Sequence, residues 1–482
     1  MKVPQIPLRD RTIADRPDAL FRENAVHVWD RHLIAKYKVV DKRCTSYPCP
    51  CRFDDSYDGD FYSQEAVKNS RQSIAPLSLR VHVPFCLHNG DRCDSQKIIT
   101  SDHAVIRTYL DYLSKEIQIQ SKLMSKHRTI LKLHLDGGAP ALLNGAELTE
   151  LMHQLASHYN LTDCERREYS IEIDPSTVTR DDLALFKGLG FNQLAIEIQD
   201  FNRQVQRAVN RHQEFGVIKT FMETARLYEF KSISYDLIYG LPFQTFASLE
   251  TTLDNIVELS PDRIFFCRYV HSPQHIKNQR QVDQQNLPST DEKITMLTLI
   301  GDKLTAAGYQ HLGMDCFVKP EDDLAVAQRD GMLQINLQGY STCSVPDLVS
   351  LGVAAISLLH DTYFQNECHL DNYYRRLCED RLSVAKGIKL DDGRLLQTVI
   401  MQITCALLLD MEAIEKQFNV KFSDYFSREL SVLKGMEGDG LLFKDNAKLK
   451  VSKQGKLLIR EICLPFEQHL QLNSMGDEPK TQ

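Results

Sequence analysis

Between residues 77 and 359 the spacing of hydrophobic positions switches repeatedly between two periods. Short runs rich in β-branched and aromatic residues, at 79–83, 130–135, 169–173, 193–198, 233–238 and 263–269, predict strands. Between them, longer stretches at 105–123, 148–158, 181–188, 216–228 and 248–259 place apolar residues on one helical face. Strand–helix alternation of this kind predicts an α/β fold with a parallel sheet and right-handed crossovers. The period alone does not choose between an open sheet and a barrel.

The pattern changes after Tyr363. Residues 370–465 read as helices at 395–409, 411–418 and 422–435, then a hairpin-like piece at 449–460, which together suggest a winged-helix-like module. The division expected is a lead-in and extension over 1–76, an α/β unit over 77–365 and a smaller carboxyl-terminal unit over 366–482. Residues 1 to about 38 have no firm periodicity and are expected to be loosely held, as is the tail from 476 to 482.

With 482 residues the chain is too long for one ordinary core. Hydrophobic content of 43% and charged content of 25% are those of a soluble globular protein. A formal charge of -8, from 57 basic and 65 acidic residues, leaves no electrostatic footprint for nucleic acid or an anionic membrane. The first residues lack the apolar segment of a secretory signal, and the longest apolar run, 349–359, falls short of the roughly 20 residues of a membrane span. Thirteen cysteines at irregular spacing point to reduced thiols, and the expected location is the cytoplasm.

Candidate chemistry gathers at strand ends. Glu172 and Asp174 close one predicted strand, Gln199 and Asp200 the next, and Asp236 lies in a third. In a barrel such positions face the active site. Taken singly, each also reads as a loop cap or turn initiator. The first strand runs through Arg80 and His82 to Pro84 and opens onto a loop bearing Cys86 and Cys93, where a strand would deliver a metal-binding loop. Cys44, Cys49 and Cys51 form a second small group of thiols.

This loop resembles the cluster loop of radical S-adenosylmethionine (SAM) enzymes, Cys-x3-Cys-x2-Cys. Cys86 takes the first position, Cys93 the third, and Gly90 the second. The flanks His82-Val-Pro-Phe-Cys86 and Lys97-Ile-Ile-Thr100 narrow the resemblance to the oxygen-independent coproporphyrinogen III dehydrogenases, the HemN family. So do the lead-in Arg43-Cys-Thr-Ser-Tyr-Pro48, Ile171-Glu-Ile-Asp-Pro175, Gln199-Asp-Phe-Asn202, Val205-Gln-Arg-Ala-Val-Asn-Arg211, Asp236-Leu-Ile-Tyr-Gly-Leu-Pro242 and Gly352-Val-Ala-Ala-Ile-Ser357. The resemblance spans about residues 35 to 470 and implies a partial (β/α)6 barrel with a small helical carboxyl-terminal domain closing over its mouth. It implies SAM contacts at Gly137, Gly138, Glu172, Gln199, Arg211, Asp236 and Ile356, and cluster ligation by Cys86 and Cys93.

The departures concentrate around the loop. Arg80 replaces a Tyr, Asp91-Arg92 an aromatic pair, and Asp94-Ser95-Gln96 a Gly-Cys-Asn. In the turn Asp136-Gly-Gly-Ala-Pro140, which resembles Gly-Gly-Gly-Thr-Pro, Asp136 and Ala139 depart, and Cys316 stands in for a His. In the family, three thiolates hold a 4Fe-4S cluster whose fourth iron is chelated by SAM. Its electron generates a radical that removes hydrogen from a substrate propionate, and loss of carbon dioxide leaves a vinyl group. Glycine supplies no thiolate. His88, Asp91 or the Cys44, Cys49 and Cys51 group are the candidate substitutes. Three readings follow: a family scaffold with the radical reaction lost or weakened, binding SAM and a porphyrinogen or haem-type molecule; a working dehydrogenase with a substitute ligand and an electron donor; and a regulatory or nucleic-acid-binding protein using the terminal module, against which its acidic residues argue.

Overall fold

The computed structural model describes residues 30–37, 50–86, 98–138, 142–274, 279–280, 282–336, 338–343, 345–390 and 393–473. After a leading helix α1 (Gly59–Gln72), six strand–helix units follow: β1 (Leu77–Val83) and α2 (His103–Ser121), β2 (Thr129–Gly137) and α3 (Gly145–His158), β3 (Glu168–Ile173) and α4 (Arg180–Gly188), β4 (Gln193–Ile198) and α5 (Phe215–Leu227), β5 (Ser232–Tyr239) and α6 (Phe246–Leu259), β6 (Arg263–Arg268) and α7 (Thr290–Ala306). The six strands pair in chain order, all parallel. The six strands and helices α2 to α6 match the predicted ones to within three residues at every boundary, while α1 and α7 were not predicted.

Antiparallel strands β7 (Gln310–Gly313) and β8 (Cys316–Val318) extend the sheet beyond β6, while β9 (Asp347–Leu351) adds parallel to β1. Three further antiparallel strands follow: β10 (Ile356–Leu359), β11 (Thr362–Asn366) and β12 (Val384–Lys389). The end strands β7 and β12 are not paired with each other among the described residues, so the sheet stays open, as in a partial barrel.

Alternation along each strand separates two environments. On β3, Tyr169, Ile171 and Ile173 are buried in the core while Ser170 and Glu172 are half-buried; β5 repeats this with Ile233, Tyr235 and Leu237 against Ser234 and Asp236. One face packs under the helices and the other lines a polar interior. The amino end of that interior is closed by charge. Glu168 lies 3.8 Å from Lys132 Nζ and accepts hydrogen bonds from Ser341 and Thr342, while Arg263 pairs with Asp322 at 2.9 Å. Below the sheet the fully buried Arg128 guanidinium donates to Asp347, Asn69 and the carbonyl of Ala75.

The terminal module comprises α8 (Gly393–Met401), a π-helical turn Gln402–Ala406, β13 (Leu408–Asp410), α9 (Met411–Phe418), α10 (Ser427–Gly438), β14 (Leu442–Asp445), β15 (Lys448–Val451) and α11 (Ile459–Asn473). Two expectations need correction. The helix predicted over 395–409 breaks at Leu407, whose φ of 54° turns the chain into β13. The hairpin-like reading of 449–460 holds only to Val451, because the Ser452 side chain caps Gly455 N–H and starts a helix at Lys453–Leu457. Nor are residues 30–37 loose. Asp30 caps the helix Arg31–Lys36, Ile34 is buried, and Lys36 and Tyr37 both bind Asp439 of the terminal module. No helix among the described residues is long and apolar enough to cross a membrane.

Candidate active site at the carboxyl end of the barrel

At the end of β1 the chain runs through Pro84 into Phe85 and Cys86, both buried, and these two residues pair in parallel with Ile98–Ile99. Residues 87–97, with His88, Gly90, Asp91 and Cys93, lie outside the described residues, as do Cys44, Cys49 and the side chain of Cys51. The glycine turn after β2 packs directly on this segment. A Cβ at Gly138 would sit 1.9 Å from Phe85 O and 2.8 Å from Cys86 Sγ; at Gly137, whose φ is 123°, it would meet Val83 O at 2.5 Å and the His82 ring at 2.8 Å. Only missing side chains permit this approach.

Asp136, directly before the turn, is the hub of a cluster. Arg80 Nε donates to Oδ2 at 2.7 Å, His82 Nδ1 to Oδ1 at 3.1 Å, and His134 Nε2 lies 3.2 Å from Oδ2 with its Nδ1 on Ser170 Oγ at 2.7 Å. Burial by itself would raise the Asp136 carboxyl, but the Arg80 charge and the hydrogen bonds from both histidines override it and hold the group well below its usual range. Sequence reasoning noted Arg80 and Asp136 only as separate departures and did not find the cluster. Its available signal was polar residues at every second position, 80 and 82 on β1 and 132, 134 and 136 on β2.

On the facing strands the sequence-predicted residues come together. Glu172 accepts from Gly137 N–H at 3.2 Å. Arg211 reaches Glu197 at 3.2 Å and Asp174 at 3.4 Å. Burial opposes the Arg211 charge, yet the carboxylates of Glu197, Asp174 and Glu172 raise its pKa above the ordinary value. Gln199 is buried and donates to Glu197 at 3.1 Å. Glu197 was missed, although it stands two positions before Gln199 on the same strand face. Three buried polar atoms here have no hydrogen-bond partner among the described residues: His82 Nε2, Gln199 Oε1 and Arg211 Nε.

The other candidates divide. Asp200 serves as a brace: it accepts from Gln244, Thr252 and the Asn202 amide, so the loop-cap reading holds for it. Asp236 lies mid-strand on the polar face, opposite Glu197 and Phe265. Ile356 opens β10, half-buried, beyond the Gly352 turn, whose φ is 105° and whose Cβ would stand 2.5 Å from His82 O. Cys316 is buried in an apolar cluster, and burial keeps its thiol neutral.

Residues 84–256 match the sequence model of the radical SAM superfamily and residues 391–458 that of the HemN C-terminal domain. The oxygen-independent coproporphyrinogen III oxidase of Pseudomonas aeruginosa is 40% identical over 443 residues, covering 92% of this chain and 96% of that protein. The chain belongs to the oxygen-independent coproporphyrinogen III oxidase family. Its relative from Escherichia coli K12 is 39% identical over 443 residues, 92% of this chain and 96% of that one. The solved structure of coproporphyrinogen III oxidase (HemN) from Escherichia coli, described as a radical SAM enzyme, superposes with a TM-score of 0.86 at 38% identity, covering 92% of this chain and all of that one.

Membership implies SAM and a 4Fe-4S cluster as the family's cofactors. The residues in place fit the first. Two glycines let backbone approach a ligand, and the orphaned His82 Nε2, Gln199 Oε1 and Arg211 Nε supply the polar contacts that an amino-acid end requires. For a cluster held by three thiolates the loop sequence offers two, Cys86 and Cys93, with Gly90 between them.

Proposed function

We propose that this chain binds SAM and a coproporphyrinogen-type tetrapyrrole as a HemN-family protein whose radical decarboxylation is lost or strongly weakened. The observation that carries this reading is the contrast within one site. The SAM-facing residues Gly137, Gly138, Glu172, Gln199 and Arg211 are assembled, while the loop at Cys86 has glycine in place of its second thiol.

In the family the cluster supplies the electron that cleaves SAM. This chain's own residues supply recognition. Arg211, flanked by Glu197 and Asp174, is suited to the carboxylate of a methionyl group, and Glu172 with Gln199 Oε1 to its ammonium. Asp236 and Ile356 belong to the same proposed cofactor surface, with Ile356 packing on the adenine. The tetrapyrrole part of the reading is supported by the relatives, which are named as coproporphyrinogen III oxidases. Cys86 and Cys93 remain the proposed metal-facing thiols.

The test is anaerobic reconstitution with iron and sulfide, followed by iron and sulfide counts, reduction with dithionite, and analysis for 5'-deoxyadenosine and vinyl-bearing product. The expected result is substoichiometric iron, no 5'-deoxyadenosine and retained SAM binding. A redox-active 4Fe-4S cluster with vinyl tetrapyrrole formed under anoxia would overturn the loss of activity and establish a working oxidase with a substitute ligand.

A further inference from the structure

Two of the departures, Arg80 on β1 and Asp136 at the start of the glycine turn, are 56 residues apart in sequence and in contact in space at 2.7 Å. They lie on adjacent strands, where Arg80 pairs with His134 and His82 with Asp136. Asp136 therefore does more than neutralise Arg80. It occupies His82 Nδ1, so that the other ring nitrogen, Nε2, is left buried and without a partner among the described residues. The His82 backbone is also held in place, because Tyr109 OH donates to His82 O at 2.7 Å and the Gly352 turn closes on the same carbonyl.

We propose that Arg80 and Asp136 act as one positioning unit that fixes His82 beside the glycine turn, so that this chain binds SAM without iron. The inference rests on the SAM site of the proposed function and adds how that site works with an incomplete cluster loop. Where SAM chelates an iron, part of its affinity comes from the metal. Here three buried polar atoms have no partner among the described residues and are open to a ligand: His82 Nε2 beside Gly137, Gln199 Oε1 just after β4, and Arg211 Nε on the loop that follows the helix Arg203–Ala208. A ligand that pairs all three gains these contacts whether or not a metal is present. Neither Arg80 nor Asp136 needs to touch SAM, because both act through the His82 ring. The site is pre-organised by an ion pair built from two of the positions where this chain departs from the family pattern.

The test is isothermal calorimetry of SAM against the full chain, once stripped of metal with a chelator and once reconstituted with iron and sulfide. Melting temperatures are recorded in parallel. Metal-free wild type is expected to bind SAM within about threefold of the reconstituted protein. The double variant Arg80→Tyr/Asp136→Gly, which restores the family's residues, is expected to bind metal-free about tenfold more weakly, the loss of one charge-assisted contact, with its melting temperature within about 3 °C of wild type. Arg80→Lys keeps the ion pair and is expected to stay within about threefold of wild type. Binding only after iron and sulfide are added overturns this inference and leaves the proposed function standing. Binding in neither state removes both. Undiminished binding by the double variant refutes the role of the pair, and if that variant fails to fold, the metal-free wild type and Arg80→Lys still decide.

Discussion

Replacing Gly138 by alanine tests whether the turn and the cysteine segment are one packed unit. The added methyl would lie 1.9 Å from Phe85 O and 2.8 Å from Cys86 Sγ, where ordinary contact begins near about 3.5 Å, so backbone must move by roughly 1.5 Å. Phe85 cannot yield into solvent, since its ring is buried and meets Tyr109 edge-on at 5.3 Å. The segment is also tied by Ile98 N–H to Pro84 O at 2.7 Å and Thr100 N–H to Cys86 O at 3.0 Å. Straining these two hydrogen bonds and overpacking the site should cost about 2–4 kcal/mol. The cost appears either as lowered stability in urea or, if the segment opens locally, as SAM affinity lost by at least about tenfold in calorimetry. Gly216→Ala, at a helix position where a Cβ meets nothing within 4 Å, is the control and should change stability by less than about 0.5 kcal/mol. A Gly138→Ala protein indistinguishable from wild type in both assays would refute the packing argument.

Three further outcomes are expected. Arg128→Met leaves the Asp347 carboxylate buried without its guanidinium and should cost about 3–5 kcal/mol in urea unfolding, with Arg128→Met/Asp347→Leu recovering part of the loss. The depressed carboxyl of Asp136 contributes stability that is present above the unfolded value near about 4 and lost as pH falls toward the folded one; the gap between wild type and Asp136→Asn should therefore be widest near neutrality and close below about pH 4. Burial pushes the Lys456 ammonium down to about 8, so between that pH and its unfolded value near about 10.5 the unfolded chain binds more protons and stability rises with pH. Lys456→Met should accordingly be the more stable protein at pH 7, by up to about 3 kcal/mol, and lose that advantage as pH is raised toward 10 in parallel urea titrations.

The six strand–helix units could be read without coordinates because burial period is a local property: Tyr169, Ile171 and Ile173 alternate with Ser170 and Glu172 in the chain itself. Glu172, Gln199 and Arg211 were legible as candidate site residues through their motifs. Asp200, equally polar and equally placed at a strand end, is instead a brace held by Gln244 and Thr252, more than 40 residues away. No local pattern separates the two cases. The helix break at Leu407 was hidden for a related reason. Its left-handed backbone is adopted by a residue with no preference for it, because tertiary packing of β13 against β15 demands the turn.

The sequence by itself determined the class of fold, the family and the number of thiols available in the cysteine loop, since each depends on residue identity and spacing along the chain. Only the tertiary structure decided that Arg80 and Asp136 answer one another, that one His82 nitrogen has no partner among the described residues, and that Glu197 completes the setting of Arg211. The Arg80–Asp136 contact arises from the register of neighbouring parallel strands joined by a long crossover, and register is set by how the whole sheet packs; Arg211 reaches Glu197 from the loop after the helix Arg203–Ala208.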